Sequence, residues 1–167
     1  MDFELKEWQL GYVKDVAKYA NNKNIADNLR NAFPHPYTLD DAKYYVNHCM
    51  RKEGESEVCR AIVVNGEAVG SIGVFFRDDV YCKTGEVGYW LAEPFWSKGI
   101  MSSAISQVCE VVFGEYDIVR IFAEPFANNI GSRKALEKAG FILEGIMRKS
   151  VFKNDKVLDS CMYAMLK

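Results

Sequence analysis

The chain of 167 residues is 49% hydrophobic, 13% aromatic and 26% charged, the usage of an ordinary globular domain, and at this length folding buries roughly 70% of the surface the unfolded chain exposes. Disordered, collagen-like and disulfide-dependent miniature folds are excluded, and one domain spanning residues 1–167 is expected. Its 21 Lys and Arg against 23 Asp and Glu give a formal net charge of -2 without any dense basic run, which is not the clustered cationic footprint of a nucleic-acid partner.

Phe3–Trp8 alternates apolar and polar residues with period two, as a half-buried strand does. Lys14–Ala20 then spaces Val16, Ala17 and Tyr19 as a helix, and the polar run Asn21–Asn24 separates it from Ile25–Ala32. Pro34-His35-Pro36 predicts extended backbone. Thr38 followed by Asp40 and Asp41 resembles a helix start, with Ala42, Tyr45, Val46 and Cys49 as its buried stripe. Val58–Val64 and Val69–Phe76 flank Asn65-Gly66, the signature of a type I′ hairpin.

After a turn at Asp78-Asp79, Gly85–Leu91 reads as a strand with Glu86, Gly88 and Trp90 on one face and Val87, Tyr89 and Leu91 on the other, ended by Pro94. From Met101, the residues Ala104, Ile105, Val108, Val111 and Val112 follow the 3.6-residue helical period. Ile118–Ala123 is a further strand, and Ile130–Ala139 a short helix closed by Gly140 in the left-handed cap. Two strands, Ile142–Phe152 and Val157–Met165, finish the chain around Lys153–Lys156. The pattern is one α/β unit: an antiparallel meander, then strand, helix, strand, helix and hairpin.

The first fifteen residues alternate charge with apolar side chains, unlike a secretory signal, and no run approaches the roughly 18 apolar residues of a membrane helix, so a cytoplasmic protein without a membrane partner is expected. Cys49, Cys59, Cys82, Cys109 and Cys161 are irregularly spaced without a C-x-x-C pair and read as buried free thiols. His35 and His48 are the only histidines and neither belongs to a metal-binding cluster, so no metal is expected and a Ser-His-Asp triad has little material to draw on.

Chemistry concentrates in Glu86–Ser103, where a strand passes through Ser97, Lys98 and Gly99 into the strongest helix. The first amides of a helix lack intrahelical partners and its dipole favours an anion there. Gly99 would let a phosphate approach the backbone, Lys98 would add charge, and Ser102 and Ser103 offer hydroxyls. Neither a P-loop nor a dinucleotide fingerprint is present, and a plain strand-to-helix turn explains the same residues. Asn128-Asn129-Ile130-Gly131-Ser132 could cap a helix or present a carboxamide to an extended ligand. Glu86, two residues from side-chain-free Gly88, has the open space a general base would need, or is simply a solvated glutamate.

The runs E-V-G-Y-W-L, P-F-W-S-K-G-I-M-S-S-A and N-I-G-S-R-K-A-L-E-K-A-G-F, followed by a hairpin ending Y-A-M-L, resemble the GCN5-related N-acetyltransferase (GNAT) superfamily. Within it the chain is most similar to the RimJ/RimL-type branch of ribosomal-protein N-terminal alanine acetyltransferases, from about Asn65 to the carboxyl terminus. The resemblance implies a mixed, mostly antiparallel seven-stranded sheet flanked by helices and splayed between its fourth and fifth strands, with acetyl-coenzyme A in the opening. The family's pyrophosphate loop, Q/R-x-x-G-x-G/A, falls on Trp96–Met101, so Ser97, Lys98, Gly99, Ile100, Met101 and Ser102 would bind the cofactor; Trp96 and Met101 depart from the pattern. Trp90, Leu91 and Ala92 would offer backbone to the pantetheine arm and Asn129 would hold its amide.

The resemblance further makes Glu86 the base, acting through water, and Ser132 the substitute for the tyrosine acid that many members carry where Leu136 stands, either as the acid itself or as the group that holds a water or the sulfur. The implied reaction moves an acetyl group from acetyl-coenzyme A to a primary amine, with a peptide or protein amino terminus suggested by analogy and a polyamine or aminoglycoside-like amine as alternatives. A non-catalytic acyl-coenzyme A binding or sensing module is the competing class, and the joint retention of Glu86, Asn129 and Ser132 argues against it. Either a monomer or a homodimer is compatible with the sequence.

Overall fold

The amino-terminal alternation produces strand β1 (Glu4–Glu7), paired antiparallel with β2 (Glu57–Val64) from Glu4↔Val63 to Glu7↔Arg60. The structure, a computed structural model, describes all of residues 1–167. Helix α1 (Val13–Ala20) buries Val13, Val16 and Ala20. Helix α2 (Lys23–Ala26) begins inside the polar run Asn21–Asn24 and ends after about one turn. The Asn28 side chain takes the Asn24 carbonyl at 3.0 Å, and the backbone N–H groups of Asn28 and Leu29 turn to Ile25 and Ala26 instead. Bonding to the third residue back tightens the turn and ends the helix. Around Pro34–Pro36 the backbone bends rather than extends, with a cis His35–Pro36 peptide.

Helix α3 (Leu39–Lys52) starts with a capping box between Thr38 and Asp41 and buries Ala42, Val46 and Cys49. The turn between β2 and β3 (Glu67–Phe76) has positive φ at both Asn65 (50°) and Gly66 (84°), the type I′ geometry that Asn-Gly predicts. A 3₁₀ turn at Asp79–Tyr81 leads to β4 (Thr84–Leu91). Hydrogen bonds from Arg77 N–H to Thr84 (2.9 Å) and from Ala92 N–H to Val69 (2.8 Å) run at one register, so β3 and β4 are antiparallel.

Helix α4 (Ile100–Glu115) is the crossover from β4 to β5 (Arg120–Ala123), which pairs parallel to β4 from Thr84↔Arg120 to Glu86↔Phe122. The strand begins two residues later than predicted because Val119 and Arg120 both donate to the Lys83 carbonyl as the chain enters the sheet. Helix α5 (Ile130–Lys138) closes with Gly140 N–H on Glu137 and Phe141 N–H on Leu136, a Schellman motif around Gly140 at φ 100°. Strands β6 (Ile142–Lys153) and β7 (Lys156–Leu166) meet at Asn154-Asp155, and β7 pairs antiparallel with β5. The sheet order is β1-β2-β3-β4-β5-β7-β6: seven strands, mixed, with one parallel pair at β4 and β5, flanked by helices.

The chain divides into two compact units, residues 1–73 with 89–100 and residues 74–88 with 101–167. The core of the first joins Trp8, Tyr12 and Val16 to Tyr37, Val46, Cys59 and Trp90. In the second, Ile105, Cys109, Val112, Ile121, Leu136 and Tyr163 are buried. The five thiols are free, as expected, but Cys82 is exposed because it ends the 3₁₀ turn before β4. No helix is long and apolar enough to cross a membrane.

Candidate active site

In the second unit, Glu86 stands on β4 with its side chain 13% exposed and ion-paired to Arg77. Arg77 follows the end of β3, diagonally across the antiparallel pair, where opposite charges reach one another. Its guanidinium lies 5.2 Å from the Phe122 ring centroid, stacked on the residue that β5 sets beside Glu86. The carboxylate is thus held by a neighbour that is itself braced. The space expected at Gly88 is occupied differently: a Cβ there would come within 3.2 Å of Phe75 Cε2, so the missing side chain makes room for that ring.

The first unit carries the end of β4 and the loop after it. Ala92 donates to the Val69 carbonyl, and its own carbonyl accepts the Phe95 N–H at 2.9 Å. Backbone groups alternate in direction along a strand, so Leu91 turns its peptide groups away from β3. There its carbonyl accepts the Trp96 indole N–H at 2.7 Å. Trp96 therefore ties the loop back onto the strand it leaves, which explains an aromatic in a turn that is otherwise exposed.

Glu93 is anchored by the amides of Asn22 (2.7 Å) and Asn24 (3.1 and 3.2 Å), which hold its carboxyl below the usual carboxylate range, Asn22 most strongly. Ser97 (φ 60°) and Gly99 (φ 77°) are both left-handed; with Lys98 between them they turn the chain into α4. Lys98 Nζ sits 5.7 Å from the Phe95 ring centroid. Ile100 is buried, Met101 half-buried and Ser102 8% exposed, while Ser97, Lys98, Gly99 and Ser103 are exposed.

In the second unit Asn129 caps α5, its Oδ1 accepting the Ser132 N–H at 3.3 Å. The capping role and a ligand role are compatible, because the cap uses the oxygen of the carboxamide and not its NH₂. Leu136 is fully buried, an apolar core residue where the resemblance would place a tyrosine acid. Helix α5 is braced by Arg133, which donates to the Tyr163 hydroxyl (3.1 Å) and the Ala127 carbonyl (3.0 Å), while Tyr163 donates to Glu137 at 2.7 Å.

The site residues fall into two groups. Glu86, Met101, Ser102, Asn129 and Ser132 belong to the second unit; Trp90, Leu91, Ala92, Ser97, Lys98, Gly99 and Ile100 belong to the first. Sequence reasoning missed Arg77, Phe122 and the Asn22 and Asn24 clamp. Arg77 had a readable signal, a lone cation across a predicted hairpin from Glu86; the asparagines, some seventy positions from Glu93, had none.

The family described as acetyltransferase (GNAT) domain matches residues 3–142. The chain is similar to the uncharacterized N-acetyltransferase YnaD of Bacillus subtilis (strain 168), 27% identical over 169 residues covering 99% of this chain and 91% of that protein. It is 32% identical to the ribosomal-protein-serine acetyltransferase of Escherichia coli (strain K12) over 100 residues, 60% of this chain and 55% of that one. Among solved structures it resembles RimL, a ribosomal L7/L12 alpha-N-protein acetyltransferase in complex with coenzyme A, with a TM-score of 0.87 at 21% identity over 98% of this chain and 93% of that one. At that identity the likeness speaks for the fold.

Proposed function

Because the chain belongs to the acetyltransferase (GNAT) domain family and is an N-acetyltransferase, we propose that it moves the acetyl group of acetyl-coenzyme A to a primary amine, in the cytoplasm where that thioester is made, with a peptide or protein amino terminus as acceptor. The observation that carries this reading is the Ser97–Gly99 turn, whose two left-handed residues deliver backbone amides to the positive end of the 16-residue helix α4. The amides of Gly99–Ser102 bind the pyrophosphate. The Leu91 N–H, directed away from β3, pairs with the pantetheine arm beside Trp90 and Ala92, and the Asn129 NH₂ holds a pantetheine carbonyl. The family match over residues 3–142 supports treating residues 1–167 as one catalytic domain.

An ammonium has no lone pair, so the acceptor must lose a proton before it attacks the thioester carbonyl. Glu86 takes that proton through a water, held in place by Arg77. A C–N bond forms, the C–S bond breaks, and the departing thiolate collects a proton from a water positioned by Ser132; that water regains one from the acceptor nitrogen as the nitrogen becomes an amide. The peptide acceptor rests on the similarity to the ribosomal-protein-serine acetyltransferase of Escherichia coli and to the ribosomal-protein acetyltransferase RimL.

The deciding experiment measures the thermal midpoint with acetyl-coenzyme A, coenzyme A, ATP and NAD in parallel. A ligand at about 100 times its Kd adds roughly 2.7 kcal/mol, several degrees at this size. Shifts with the two coenzyme A species alone support the reading, and an equal ATP shift overturns it. Product mass detection over amino-terminal Ser and Ala peptides and spermidine then decides the acceptor; acetylation of spermidine alone would rule out the peptide.

A further inference from the structure

A pair of thiols lies in the core of the first unit, outside the machinery described above. Cys49 on α3 and Cys59 on β2 place their sulfurs 3.4 Å apart, and each residue is 2% exposed. The Ser71 hydroxyl stands 3.6 Å from Cys59 Sγ, and the Tyr45 hydroxyl stands 3.9 Å from that sulfur and 2.6 Å from Ser71 Oγ. Tyr45 and Cys49 are four residues apart and so share one face of α3. The sulfurs are already in van der Waals contact, and closing to a disulfide bond of about 2.05 Å requires a relative movement of roughly 1.4 Å, which two side chains can divide between them.

We propose that Cys49 and Cys59 form an oxidisable dithiol, a modification site that hydrogen peroxide converts reversibly to an intramolecular disulfide. Cys59 is the attacking sulfur. The Cys49 thiol donates to it first, then the Ser71 and Tyr45 hydroxyls, and together they favour its thiolate; the same arrangement pushes Cys49 up. The Cys59 thiolate attacks one peroxide oxygen and the O–O bond breaks. Hydroxide leaves and is protonated to water, and Cys59 becomes a sulfenic acid. Cys49 then attacks the Cys59 sulfur, its proton passing to the departing hydroxyl, so that an S–S bond forms as the S–O bond breaks. The two thiols have lost two electrons and the peroxide has become two waters. Because the resolving thiol already touches the sulfenic sulfur, capture competes with further oxidation to sulfinic acid, and the product fastens α3 to β2.

Treat the folded full-length protein with hydrogen peroxide, alkylate in denaturant and digest with trypsin, which separates Cys49 (Tyr44–Arg51) from Cys59 (Glu53–Arg60). Exposed Cys82 reports that the oxidant has acted. The expected product is a linked pair of these two peptides, released by dithiothreitol. Recovery of both peptides alkylated after Cys82 is fully oxidised overturns the proposal, as does Cys59 recovered as sulfinic acid without a link. In Cys49→Ser, Cys59 should instead trap dimedone or reach the sulfinic state; the wild-type peptide map decides even if that variant fails to fold.

Discussion

Helices α3 and α4 begin with the same electrostatics and opposite equipment. Each has four backbone N–H groups without intrahelical partners and a partial positive charge at its amino end. At α3 the chain supplies its own anion: Thr38 Oγ1 accepts the Asp41 N–H at 3.1 Å, Asp41 Oδ2 accepts the Thr38 N–H at 2.8 Å, and Asp40 adds a second carboxylate. The first turn of α4 has no acidic residue, and the loop before it contributes Lys98 between two left-handed residues. A helix closed by its own side chains is structural at that end, whereas one without an internal carboxylate is suited to an anion from outside.

If α4 anchors the cofactor and does not react, damage to the chemistry must leave anchoring intact. Glu86→Gln should lower kcat by about a hundredfold while the acetyl-coenzyme A Kd stays within about threefold, since a proton acceptor acts only in turnover. Unchanged turnover across the pH range at saturating acceptor would remove Glu86 from the mechanism. Gly99→Val forces a β-branched residue to φ 77°, a conformation such side chains resist, and the displaced turn should weaken acetyl-coenzyme A binding at least about tenfold by calorimetry. Equal affinity would mean that the turn is only a connection. Met101→Glu gives α4 the carboxylate that α3 already has. Affinity should then fall about threefold to tenfold at low salt and recover in part as salt screens the repulsion, with the midpoint of the free protein unchanged or raised. A loss that is indifferent to salt would point to steric damage.

How far the site was legible depended on distance along the chain. The Asn65-Gly66 turn, the Thr38 cap, the α4 stripe and the Gly140 closure are local matters of φ preference, hydrogen bonding and periodicity, and each stands where the residues predict. Features that depend on tertiary contact did not follow from the pattern. Nothing local shows that Phe75 would fill the space at Gly88, that Trp96 would serve the Leu91 carbonyl, or that Asn28 would stop α2 by taking the Asn24 carbonyl. Cys82 follows the same logic, since a cysteine is an apolar core residue by default and only its place at the end of a turn exposes it. That the sheet has seven strands and is mixed came from the family resemblance, while the order in which the strands become neighbours is something periodicity is blind to.

The smallest effect tests the α3 side of the comparison, and its sign depends on pH. Asp41 is held below the ordinary carboxylate range, first by the Thr38 N–H and then by the Thr38 hydroxyl. A carboxyl whose folded value is depressed contributes stability that is present above its unfolded value, near 3.8, and is lost as pH falls through the folded value. Asp41→Asn keeps an acceptor for the Thr38 N–H but removes the charge at the helix end. It should lower the thermal midpoint by about one to two degrees at pH 7, and the gap to wild type should close as the pH is taken below about 4, where the wild-type carboxylate is itself neutralised. Acetyl-coenzyme A affinity at neutral pH should not move, because this anion serves its own helix. A gap that persists in acid would mean that the side chain caps through shape and hydrogen bonding alone, and the contrast with α4 would then rest on loop geometry and not on charge.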